Sequence, residues 1–174
     1  TDKFSRAIRI RLLEGTELYT LTRERERFVR WLCAEKFGGS KVSVVTASNS
    51  PSRPVERMLA RHRIRGLFNG CYSPDLIGSS KPSREYFEEI MERLGVDRPE
   101  LALMVGNSPL NDLGALAAGL NTLLILDPNE PVDFQDRADE MLTAHPKARF
   151  HFCRRLRKAK DWIEENFRAS ACTR

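Results

Sequence analysis

Apolar residues recur along this chain with two different periods, and the periods alternate. Ala7–Leu13 sets Ile8, Ile10 and Leu12 on one side of a strand. Thr22–Phe37 has helical spacing, with Phe28, Leu32 and Cys33 on one face, Arg and Glu on the other, and Gly38-Gly39 to stop it. Lys41–Ala47 (KVSVVTA) is β-branched and reads as a strand. Pro54–His62 reads as a short helix that turns Val55, Met58 and Leu59 inward. Ser83 is placed to cap a helix that runs to Leu94 and stops at Gly95. Leu101–Val105 and Thr122–Leu126 are short apolar runs of the kind buried on both faces of a parallel sheet, with a helix rich in small residues, Leu110–Leu120, between them. Asp127–Asp136 holds Pro128 and Pro131 and reads as loop. Residues 127–150 as a whole give no clear element and are expected to take their order from a neighbour. Phe152, Leu156, Ala159, Ile163 and Phe167 recur at helical spacing and predict a C-terminal amphipathic helix.

Strands that alternate with helices predict an α/β fold, a parallel sheet sandwiched by helices with right-handed crossovers. The 174 residues are enough for one domain with its own core. At 41% hydrophobic and 30% charged, the composition excludes a disordered or fibrous chain. No apolar stretch approaches the roughly 20 residues of a membrane-spanning helix. Cys33, Cys71, Cys153 and Cys172 are widely spaced, with no C-x-x-C pair, and read as reduced structural thiols. His145, His151 and Cys153 lie close in sequence but lack the spacing of a metal site.

Charge divides the chain more sharply than composition does. Residues 145–174 carry nine basic residues against three acids, a net +6, which leaves 20 − 21 = −1 for residues 1–144. The division predicts a core over 1–144 and a basic amphipathic helix and tail over 145–174, packed on that core. Lys147, Arg149, Arg154, Arg155, Arg157, Lys158 and Lys160 are the candidate contacts for RNA or an acidic protein surface.

In sheets of this kind chemistry collects at the carboxyl ends of the strands. Thr46-Ala47-Ser48-Asn49 follows one strand, Lys81-Pro82 stands at a helix entrance, and Gly106-Asn107-Ser108-Pro109-Leu110-Asn111-Asp112 follows another strand. A hydroxyl, a lysine and an acid at one sheet edge suit a phosphate. The run from VVTASNS through SSKPSREYFEEIMERLGV to LALMVGNSPLNDLGALAAGLNTLLIL resembles the second half of a haloacid dehalogenase (HAD) superfamily phosphatase. The resemblance covers about residues 40–126. It implies that Thr46 is the phosphate-binding hydroxyl, Lys81 the motif lysine, and Gly106–Asp112 the segment whose acids hold magnesium.

The family's nucleophile is an aspartate in a D-x-D-x-T pattern, and no D-x-D occurs in this sequence. Against Ile8–Thr16 the pattern places Leu12 at the nucleophile and Glu14 near its end. Leu12 lies 34 residues before Thr46, a spacing that implies a cap-less member. Leucine cannot form an aspartyl-phosphate, and Asn107 stands where the first metal-binding aspartate is expected, so that Asp112 alone is left for any magnesium. These departures point to a catalytically inactive, HAD-like pseudoenzyme that needs no cofactor. It is expected to serve as a structural subunit of a larger protein or ribonucleoprotein assembly, such as a mitochondrial ribosome, in contact with rRNA. A chain that opens at Thr1, without an initiator Met, fits removal of an organellar presequence and a place in the mitochondrial matrix. The alternative is a magnesium-dependent phosphatase acting on a small phosphorylated substrate, its nucleophile motif lying upstream. A third reading is a sensor that binds phosphate through Thr46 and Lys81 without turnover.

Overall fold

The computed structural model describes residues 22–34, 36–37 and 40–168. They fall into two compact units, divided between Leu76 and Ile77. The strand expected at Ala7–Leu13 lies outside the described residues.

The first unit opens with α1 (Arg23–Ala34), which stops three residues before the end that the spacing predicts. Lys36-Phe37 (β1) instead pairs antiparallel with Ser40-Lys41 (β2), because Gly-Gly is a hairpin signal as well as a helix stop. The strand expected from Lys41 begins only at β3 (Val45–Ala47). Ahead of it, Val44 donates its N–H to the Asn69 side chain (2.9 Å) and accepts from the Asn69 N–H (2.7 Å). Helix α2 (Ser52–Arg61) crosses over to β4 (Gly70–Tyr72), which pairs with β3 in parallel, Thr46 opposite Cys71. Val55 and Leu59 on the inner face of α2 close over Ile64 and Cys71, with Val29 of α1 against them. The chain leaves through a single helical turn, α3 (Pro74–Ile77).

In the second unit α4 spans Arg84–Arg93. The Ser83 hydroxyl accepts from the Tyr86 N–H at its start, and Gly95 ends it at φ +65°, where a side chain would be strained. Tyr86, Phe87, Ile90 and Met91 form its buried face. Strands β5 (Leu103–Gly106), β6 (Asn121–Ile125) and β7 (Phe150–Cys153) form a parallel sheet with β6 in the centre. Central position explains why β6 is buried on both faces. Leu124, Leu126, Leu113 and Leu116 build one core with Phe134 and Ala138, and Phe134 meets Phe150 and Phe152 edge-on. Both units are therefore α/β, with parallel strands flanked by helices, as expected.

Three expectations in this unit are corrected. Leu110–Leu120 is not one helix but two single turns, α5 (Pro109–Asp112) and α6 (Gly114–Ala117), with Gly114 packed against the Pro82 carbonyl at the junction. Residues 127–150 take their order within the chain: α7 (Gln135–Ala144) buries Ala138 completely in the unit's own core. Phe152 is not the first residue of a helical stripe but part of β7, where Phe150 and Phe152 alternate onto one sheet face. The helix α8 (Leu156–Ile163) follows and buries Ala159 and Ile163, continuing into a wider turn over Glu164–Arg168.

Asn121, at the head of β6, joins both neighbouring strand connections. Its amide donates to the carbonyls of Glu100 (2.7 Å) and Ala102 (3.1 Å) and accepts from the Arg149 N–H (2.9 Å). Next to it the Thr122 hydroxyl is buried with no hydrogen-bond partner among the described residues. The two polar side chains therefore have opposite consequences. In urea denaturation Asn121→Ala is expected to cost about 2–4 kcal/mol, because buried backbone groups lose their partner, whereas Thr122→Val is expected to be neutral or stabilising by about 1 kcal/mol.

Candidate functional site

The best-organised polar group stands at the carboxyl end of β5. Gly106 closes the strand, and the next residues turn back over the Asp112 side chain, which is 2% exposed. One carboxylate oxygen, Oδ2, accepts the backbone N–H groups of Asn107 and Ser108, both at 2.9 Å. The other, Oδ1, accepts from the Lys81 ammonium at 2.6 Å, and the lysine side chain is 11% exposed. A carboxylate buried this deeply needs a matching charge and donors for its lone pairs, and it has both.

Two glycines make room for the arrangement. A Cβ on Gly106 would run into the Asp112 carboxylate, and one on Gly114 would run into the Pro82 carbonyl. The first lets the acid sit beneath the strand end. The second holds the segment that delivers Lys81. Their packing role was missed from sequence, where the only signal is a glycine at a strand end six residues before an acid and another two residues after it.

The other predicted positions divide clearly. Leu12 and Glu14 lie outside the described residues. Thr46 lies in β3 of the first unit, and its hydroxyl is buried with no partner among the described residues, as is that of Ser73 just past β4. A buried hydroxyl in that state has donor and acceptor capacity to offer. Asn107 is exposed at the end of β5 and engages Asp112 only through its backbone N–H.

Four of the seven candidate basic contacts have partners among the described residues. Arg154 donates to the carbonyls of Asp127, Pro128 and Glu130 at 2.6–2.9 Å and straps the loop after β6. Arg149 holds Asn166, Lys158 lies 3.9 Å from Asp161, and Lys160 lies 3.8 Å from Glu164. Lys147, Arg155 and Arg157 are exposed. His145 meets the Ala117 carbonyl, His151 stacks on Trp162, and burial pushes the His151 pKa down. Cys153 donates to the Arg155 carbonyl, so these three residues do not converge.

Magnesium, which the resemblance implies, does not fit the described residues. Asp112 has both oxygens committed, Asn107 offers only a neutral amide, and among the described residues no three His, Cys, Asp or Glu side chains gather as metal ligands. The Lys81–Asp112 pair is instead a fixed structural unit. Asp112→Ala is expected to cost about 3–5 kcal/mol, since it strands a buried ammonium, and Lys81→Met to cost a comparable amount. The double variant is expected to cost clearly less than the sum, which chemical denaturation of all four proteins would read as a double-mutant cycle.

Residues 4–119 match the family model of the haloacid dehalogenase-like hydrolases. A search of curated proteins finds no match. Among solved structures, the chain is similar to the HAD-hydrolase YfnB from Bacillus subtilis, solved bound to magnesium, with 20% identity and a TM-score of 0.67 over 89% of this chain and 60% of that one. A HAD phosphatase from Thermococcus onnurineus gives 18% identity and a TM-score of 0.66 over 90% of this chain and 64% of that one. A HAD family hydrolase from Deinococcus radiodurans, with bound phosphate and sodium, gives 19% and 0.65 over 95% and 68%. The chain thus spans less than two thirds of the first two. Those likenesses are of fold, and they agree with the sequence match over two thirds of the chain: the protein belongs to the haloacid dehalogenase-like hydrolase family.

Proposed function

We propose that this chain carries the phosphate-recognising part of a phosphoric monoester hydrolase, and that by itself it binds phosphate without turning an ester over. The observation that carries the reading is Lys81, a cation fixed by a buried carboxylate at the carboxyl end of a parallel sheet. An ammonium held in place before the ligand arrives loses little freedom on binding an anion. Thr46, with its unpartnered hydroxyl at a strand end of the first unit, supports the same chemistry independently. Turnover needs a nucleophile, and the sequence holds no D-x-D. An aspartate from outside these 174 residues would supply it.

A second reading keeps the domain inert and makes it a subunit of a protein or ribonucleoprotein assembly. It is favoured by Leu12 and Asn107 at two positions of chemistry and by the net +6 of residues 145–174. It is weakened by the hydrogen bonds that Arg149 and Arg154 make within the chain, while among the described candidates Lys147, Arg155, Arg157 and the exposed Lys158 face solvent. Heavy sedimentation from a gentle lysate, collapsing on RNase treatment, would favour this reading. Sedimentation as a single small protein would count against it.

The phosphate reading predicts that inorganic phosphate binds the chain in calorimetry and that Lys81→Ala weakens binding about tenfold or more. No hydrolysis of a generic phosphoester is expected from the chain alone. Hydrolysis abolished by Lys81→Ala would mean that the sequence is a complete enzyme.

A further inference from the structure

A divalent cation at a phosphate site does two things: it needs anionic oxygens to hold it, and it cancels the repulsion between those oxygens and the phosphate. The strand end after β5 is poor in the first and has little need of the second. Asp112 is sealed, with the Lys81 ammonium at 2.6 Å on one oxygen and two backbone N–H groups at 2.9 Å on the other. A cation bound there would have to displace a buried ammonium from its counter-charge. Asn107 is an exposed polar side chain at this turn, beside the exposed Leu110, and its amide adds no charge.

Among the described residues at this strand end, the local charge is therefore +1 from Lys81, −1 from Asp112 and 0 from Asn107. An aspartate at position 107 would make it −1, a site that repels a phosphate dianion until a cation neutralises it. With asparagine the sum is zero, and the electrostatic reason for the cation is gone.

We infer that the Gly106–Asp112 strand end takes a phosphate-type anion without a divalent cation, and that Asn107 is the residue that sets this independence. The inference rests on the phosphate reading above and adds the charge requirement of the ligand. Asn107 is a positioning residue for charge: its side chain is exposed, so exchanging it need not disturb the buried pair.

The test is calorimetric titration of inorganic phosphate into the chain and into Asn107→Asp, each in EDTA and in excess magnesium. The chain itself is expected to bind with the same affinity in both buffers, within about threefold. Asn107→Asp is expected to bind about tenfold or more weakly in EDTA, the effect of one added charge a few ångströms away, and to recover in magnesium. Thermal melting gives a second readout that needs no phosphate: magnesium is expected to raise the melting temperature of Asn107→Asp and to leave the parent unmoved. Binding by the parent only in magnesium would overturn the inference and leave the phosphate reading standing. Binding in neither buffer would overturn the phosphate reading and the inference with it. An Asn107→Asp variant that binds equally in both buffers and melts without regard to magnesium would overturn the role given to Asn107.

Discussion

A carboxylate at 2% exposure has to be matched in charge and in hydrogen bonds, and the second unit is built so that Asp112 is. Meeting that requirement fixes a series of other features. The loop after β5 must curl back so that the Asn107 and Ser108 N–H groups reach Oδ2. Gly106 must lack a side chain so that the acid can lie beneath it, and Gly114 must lack one so that the Pro82 carbonyl can approach. Lys81 must enter from a segment far away in sequence and lose most of its hydration. The helix that periodicity would draw through Leu110–Leu120 is two single turns, with Gly114 at their junction.

The same economy governs the basic end of the chain. A charge run is a solvated face until something else claims it, and here the chain itself claims much of it. Arg154 gives its guanidinium to three carbonyls of the loop after β6, groups that a proline-containing loop cannot satisfy through regular secondary structure. Arg149 donates its backbone N–H to Asn121 and its side chain to Asn166. These cations are first of all structural, and that lowers the share of the positive excess that can face a polyanion.

Family membership and chemistry separate at the same point. The chain belongs to the HAD-like hydrolase family and buries a lysine–acid pair, while no D-x-D stands in the sequence and position 107, where the resemblance implies an acid, is an amide. Fold alone does not carry activity. The function proposed for the residues is recognition of an anion by a lysine held in advance, the part of phosphoryl chemistry that needs no nucleophile.

Much of this was legible in the sequence. The alternation of apolar runs and helical stripes specifies the α/β class, the Ser83–Gly95 boundaries specify α4 to within a residue, and Lys81 and Asp112 stand out by their motifs alone. Local pattern determines such things because period, caps and turn residues act over a few neighbours. Pattern failed where a distant partner decided. Phe152 could extend a helical stripe or alternate in a strand, and it was pairing with β6 and the ring of Phe134 that settled it. Nor could spacing show that Asp112 would spend both oxygens inside the protein, 31 residues from Lys81 in sequence and 2.6 Å away in space. The sequence by itself determined the class of fold and the identity of the candidate groups. Tertiary structure alone decided which of them are committed to one another, because burial and charge matching depend on neighbours that the chain brings together only by folding.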